Sequence, residues 1–184
     1  MSVSRWLSDA ASDHLRNQRL GAALDMWEAE DGPFTADELD AASRLLSCAV
    51  QRPASCELRM ALVLDAGALI AIDRRDRVAG ALLRVAQRQG VAVHTSASVL
   101  AQAWRDGARQ ASLARTLTGI DAIAIEQTSG RRVGELLAES GTSDILDGHV
   151  ALLVEADDTV LTSDPEDIQR LLDARSVSAT LARI

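Results

Sequence analysis

The sequence has no lysine and no tyrosine. All 19 basic residues are arginine. That excludes a Schiff-base enzyme, a phosphate loop with its lysine, and an aspartate-phosphorylation receiver, whose chemistry uses a lysine. Aromatic residues are limited to Trp6, Trp27, Trp104 and Phe34, so the core must be aliphatic. The two cysteines, Cys48 and Cys56, lie eight residues apart. That is neither a zinc spacing nor a disulfide framework, and incidental thiols in a reducing cytoplasm are the expected reading. No leader peptide and no apolar run of ~18 residues is read in the sequence, so neither export by that route nor a membrane span is expected, and the chain is expected to be cytoplasmic.

What is present is a chain of 184 residues, 47% hydrophobic, with a net charge of −8. That length suits one substantial domain with an appendage. Net negative charge argues against nucleic-acid binding, yet the charge is unevenly placed. Residues 84–132 hold seven arginines against Asp106, Asp121 and Glu126, a net of +4. Residues 133–184 hold eleven acids against three arginines, a net of −8. A basic stretch beside an acidic one suits a phosphate substrate and a metal site, and equally suits solvated helix faces.

Strand and helix signals alternate from residue 61 onward. Strands are expected at 61–65, 91–95, 121–125 and 159–162, and helices at 77–89, 97–117, 128–139, 144–156 and 165–173. Gly90 closes the first of these helices and Pro165 opens the last. Short buried strands alternating with helices imply a central parallel sheet flanked by helices, an α/β domain over 61–184. Residues 1–46 are helical. Leu20, Leu24 and Trp27 share one face, "DGPF" breaks the helix, and Thr35 to Glu38 forms a capping box that opens a second. These helices cannot bury Trp27, Phe34 and their leucines among themselves, so they need a partner surface. Residues 47–60, with Pro53, read as a linker. No internal repeat is present.

"ALVLDAGALIAI" places Asp65 inside an apolar run, where a lone carboxylate is costly. Asp65 ends the first strand and Asp164 follows the last. In open parallel sheets, ligands bind beyond those carboxyl ends. In "GTSDILDGHV", Thr142 or Ser143 is expected to cap a helix that sets Asp144 and Asp147 one turn apart on one face. Asp144 and Asp164 also have ordinary readings as cap or turn residues, whereas Asp65 and Asp147 lie in apolar segments. Four uncompensated carboxylates would repel and raise one another's pKa. A hard divalent cation, Mg²⁺ or Mn²⁺, removes that conflict and activates water for attack on phosphorus.

The segments "LVLDAGALIAI", "TSDILDGHVALLV" and "VLTSDPEDI" resemble the three hallmark segments of PIN-domain ribonucleases, the toxins of VapBC toxin–antitoxin modules. The resemblance spans about residues 61–173. It implies a PIN-like fold and an Mg²⁺-dependent endoribonuclease acting on RNA. Asp65, Asp144, Asp147 and Asp164 would be the catalytic and metal-binding set, with Asp167 as an accessory. One position departs from that pattern: where a glutamate is usual, Gln102 stands, with Asp106 as a partial substitute one turn along. Thr95 and Ser163 could bond metal-bound water. His149 is read as a core or surface histidine facing away from the carboxylates. Trp104 is read as packing ahead of base stacking. Arg105 and Arg109 are read either as phosphate contacts or as a solvated face.

The front segment, with "GPFTADEL", resembles the C-terminal part of a VapB-type antitoxin. That implies a segment clasping its own toxin, in cis or across a homodimer, with Trp27, Phe34, Arg44 and Arg52 as inhibitory contacts. The ribbon strand that reads operator DNA in that family is missing, so DNA binding is not expected. The competing expectation is a non-catalytic PIN-like interaction module, weakened at Gln102.

Overall fold

The computed structural model describes residues 3–47 and 60–184. After two front helices, α1 (Val3–Asp31) and α2 (Ala36–Ser47), the chain enters β1 (Ala61–Leu64). It continues through α3 (Ala66–Asp73), α4 (Arg77–Gln89), β2 (Ala92–Ser96), α5 (Ala97–Ala103), α6 (Ala111–Leu117) and β3 (Asp121–Ile123). Then follow α7 (Gln127–Ser140), α8 (Ile145–Leu153), β4 (Thr159–Thr162), α9 (Pro165–Ala174) and β5 (Thr180–Arg183).

The five strands form one sheet in the order β3-β2-β1-β4-β5, and every pair is parallel. Parallel neighbours require a crossover, and right-handed crossovers fix which face each helix covers. The chain moves from β1 to β2 to β3 in one direction, so α3–α6 lie on one face. It then returns past β1 to β4 and β5, so α7–α9 lie on the other. The packing agrees: α7, α8 and α9 touch one another, as α3 touches α4, α5 and α6. The central strands are sealed on both sides, with Leu62, Val63, Leu64, Val160 and Leu161 fully buried.

Three expectations change. The run 66–73, unassigned from sequence, is α3. It packs against α4, α5, α6 and β4, and its outward position carries the apolar Ile70, so it shows no amphipathic period. The helix expected over 97–117 breaks at 104–110. Gln110, buried in that break, accepts from the amides of Arg105 (2.7 Å) and Asp106 (3.1 Å) and donates to Ala103 O and Asp73. Those bonds hold the chain in a loop where a helix would continue. The third change is β5, a short edge strand whose sequence carries little alternation.

The front helices pack on the outer side of α4 and α6. Leu20, Leu24, Trp27, Phe34, Ala42 and Leu46 join the same apolar cluster as the sheet. Trp27 and Phe34 meet edge to face at 6.0 Å. They sit over Gly80, where a Cβ would come within 2.6 Å of the Phe34 ring. Arginines surround this contact. Arg77 lies over the Phe34 ring at 4.6 Å and grips both oxygens of Glu38. Arg84, almost fully buried, pairs with Asp25 and Glu28. Arg75 pairs with Glu30 and Asp31. The Thr35–Glu38 capping box forms as expected. At Gly119, a Cβ would lie 2.6 Å from Leu20 Cα, so the α6–β3 turn touches the α1 backbone directly. Cys48, Cys56 and Arg52 fall outside the described residues. Among the described residues, no helix is long and apolar enough to cross a membrane.

Candidate active site

From β1 the chain leaves toward β2 on one side, and it later returns to β4 on the other. β1 and β4 therefore flank the point where strand order reverses, and it is beyond the carboxyl ends at such a point that open parallel sheets bind their ligands. Asp65 follows β1 and Asp164 follows β4, one on each side of that point.

Asp65 is only 5% exposed. Its Oδ2 accepts from Thr162 Oγ1 (2.6 Å) and Ser163 N (3.3 Å), and its Oδ1 accepts from Ala68 N (2.7 Å). Burial pushes its carboxyl up from the usual range, against those three donors. Gly67 is needed beside it, because a Cβ there would meet Ser163 Cβ at 2.6 Å. Asp65 is also the N-cap of α3.

The other acids divide between capping and free carboxylates. Asp144, and not Thr142 or Ser143, caps α8, accepting from Leu146 N (2.8 Å) and Asp147 N (3.2 Å). Asp164 caps α9, accepting from Asp167 N (3.3 Å). Asp147, one turn into α8, accepts no hydrogen bond among the described residues. Its carboxyl is pushed up to about 6, first by burial and then by repulsion from Asp144, Asp65, Asp167 and Asp164. Four acids from the starts of three helices, α3, α8 and α9, therefore act on one carboxylate. Asp144, Asp147 and Asp167 line a cleft of about 220 Å³ between the start of α8 and α9, with Thr142, Ser143 and Arg170.

Gln102 is exposed on α5 and makes no hydrogen bond among the described residues. Asp106 is not on the same helix face, because α5 ends at Ala103. It turns in the following loop, where it accepts from Ala108 N and faces Arg109. Thr95 donates to Leu64 O across the strands and is fully buried, which leaves it no hydrogen for a metal-bound water. His149 is buried, with Nδ1 2.7 Å from Ser96 Oγ, in keeping with the core reading. Arg44 is exposed. The adjacent Leu45 carbonyl accepts from Thr159, the first residue of β4. Arg44 thus sits near the end of the sheet opposite the carboxylates. Sequence reasoning did not anticipate Thr162, Gly67 or Arg170 as parts of the site. A hydroxyl residue closing an apolar strand, a glycine two residues past the acid, and an arginine three residues past Asp167 were the available signals.

Among the described residues, no three His, Cys, Asp or Glu side chains close around one metal point. The donor set is nonetheless all oxygen and strongly anionic. Mg²⁺ commonly binds through one or two carboxylates, completing its shell with water and substrate phosphate. Burial is the first cause of the raised Asp147 carboxyl, and repulsion from its acidic neighbours, the second, is what such a cation would relieve, so the donor types are compatible with a hard divalent ion. No family model, curated protein or solved structure matched the chain.

Proposed function

We propose that the chain is a metal-dependent endoribonuclease of PIN-like fold, carrying an antitoxin-derived front segment that restrains it. The observation that carries this reading is Asp147, whose carboxyl is raised to about 6 by burial first and then by four further carboxylates gathered near the sheet's switch point. Asp65, Asp144, Asp147 and Asp164 would hold Mg²⁺ or Mn²⁺, with Asp167 as an accessory. When bound, the ion supplies an activated water and neutralises charge on the phosphate. The chain's own residues orient the site. Thr162 and the amides of Ala68 and Ser163 fix Asp65, the cap bonds hold Asp144 and Asp164, and Asp147 remains free to turn. Arg170, paired with Asp167 at 3.3 Å, lines the same cleft and would turn from that carboxylate to a phosphate oxygen once an ion holds Asp167.

The front segment lies on the α4 and α6 side of the sheet, and none of its described residues lines the carboxylate cleft. Restraint in cis would therefore act through α4 and α6, which the front helices cover while leaving the face of α5 open, rather than by plugging the cleft. A segment exchanged across a homodimer remains the other geometry. A non-catalytic PIN-like module is the second reading, favoured by Gln102, which is uncharged and bonded to nothing among the described residues. Cleavage of single-stranded RNA, with Mg²⁺ or Mn²⁺ against a chelator, separates the two. Metal-dependent cleavage by the 60–184 chain, abolished by Asp147→Asn and reduced in the 1–184 chain, is the expected result. No cleavage by either folded chain with either ion would leave the interaction-module reading.

A further inference from the structure

A groove of about 530 Å³ runs between α5 and α6, lined by Ala97, Leu100, Ala101, Trp104, Ala114 and Leu117. Three observations distinguish it from an ordinary apolar patch. The first is position. α5 starts directly after Ser96, at the carboxyl end of β2, and β2 is registered on β1 with Thr95 beside Leu64. The Ala97 end of the groove therefore opens at the edge of the sheet where Asp65 lies. The second is the ring. Trp104 is 39% exposed. It is braced by the Gln110-stapled loop, and a Cβ at Gly107 would come within 2.8 Å of Trp104 Cζ2. The third is charge. The Arg105 guanidinium donates only to the carbonyls of Ala101 and Trp104, and among the described residues no carboxylate neutralises it. Arg109 has a side chain 88% exposed, and its ion-pair neighbour among the described residues is Asp106 at 3.5 Å.

Resting on the ribonuclease reading, we infer that this groove is a subsite for single-stranded RNA, where a base stacks on Trp104 and Arg105 and Arg109 hold the flanking phosphates. A second protein copy would suit the apolar lining. It would, however, have to align carboxylates of its own with Arg105 and Arg109, since burying either guanidinium unpaired is costly. RNA brings a flat face for the ring and phosphates for the arginines together. A duplex does not fit, because its bases are already stacked.

The test measures binding apart from cleavage. A fluorescently labelled single-stranded 12-mer RNA is titrated with the full chain in chelator, and anisotropy is read at several salt concentrations. Trp104→Ala should weaken binding roughly tenfold, and Trp104→Phe should recover most of it. Arg105→Gln with Arg109→Gln should flatten the dependence of log affinity on log salt by roughly 1.4, the share of two phosphates on a single strand. Circular dichroism reports whether each variant is folded. Absence of RNA binding by the parent, or equal binding by Trp104→Ala and the double arginine variant, overturns the subsite. So does a switch from dimer to monomer in Trp104→Ala at unchanged RNA affinity, which would make the groove a protein contact. Failure of the subsite is distinguishable from failure of the nuclease. If the groove variants bind as the parent does while Asp147→Asn alone stops cleavage, only the subsite falls. If Trp104→Ala loses binding while no chain cuts RNA with Mg²⁺, only the nuclease falls.

Discussion

Asp147 is the residue whose environment is least comfortable. Its carboxyl is raised from 3.8 to about 6. An acid with a raised folded value contributes stability that is fully present below its unfolded pKa and lost as pH rises through the folded one. Asp147 therefore favours folding below about pH 4 and opposes it above about 6. Asp147→Asn should stabilise the chain at pH 7 by on the order of 1 kcal/mol, allowing for solvent screening of a partly exposed group. At pH 4 the gain should vanish. Urea unfolding of both chains at the two pH values checks this, and millimolar Mg²⁺ should narrow the gap by stabilising the parent alone. Thr162→Val tests the neighbouring acid. It removes the hydroxyl that donates to Asp65 and should cost about 1–3 kcal/mol in the same assay.

Among the elements, those with two distinct faces or a clear cap were legible in the sequence. α4 runs from the Asp76 cap to Gly90 in the left-handed conformation, with apolar residues on one side. β1 showed as an apolar run ending in an acid, and β4 as a short, mostly β-branched run two residues before one. α3 was not legible, because its outward position also carries an apolar residue, the exposed Ile70, which removes the contrast that periodicity needs. The break between α5 and α6 was not legible either, since it depends on one glutamine reaching back to its own loop. The site was half legible. Asp65 and Asp164 at strand ends, and Asp147 within an apolar helix, stood out by type and place. Which acids also cap helices, and which one is left free, required coordinates. Gln110→Leu should expose the dependence of the loop on that side chain. The expected cost is about 1–3 kcal/mol. Amide exchange should quicken over residues 104–110 while β1 stays protected.

At the scale of the whole molecule, the contact between the front helices and α4 resembles a protein–protein interface. An aromatic pair sits at its centre and arginine–carboxylate pairs surround it. Gly80→Leu should drive Phe34 from its seat and release α1 and α2, at about 1–3 kcal/mol in overpacking. Limited proteolysis would report this as faster cleavage of the front segment, with the sheet resistant. Acid should loosen the same contact. Glu38 is lowered from 4.5 to about 2, first by its hydrogen bond to Arg77 and then by the Thr35 amide. An acid with a lowered folded value contributes stability above its unfolded pKa and loses it as pH falls through the folded one. Docking should weaken between pH 4.5 and about 2, and Glu38→Gln should blunt that dependence.

The three capping aspartates carry a consequence for sequence drift. Asp65, Asp144 and Asp164 each begin a helix, so descent without catalysis would still favour Asp, Asn, Ser or Thr at those positions. Asp147 caps nothing and destabilises the fold at neutral pH. If the ribonuclease reading holds, position 147 should be the first of the four to lose its charge in a lineage that has given up cleavage, whereas a lineage that keeps an acid there has a reason other than folding to do so.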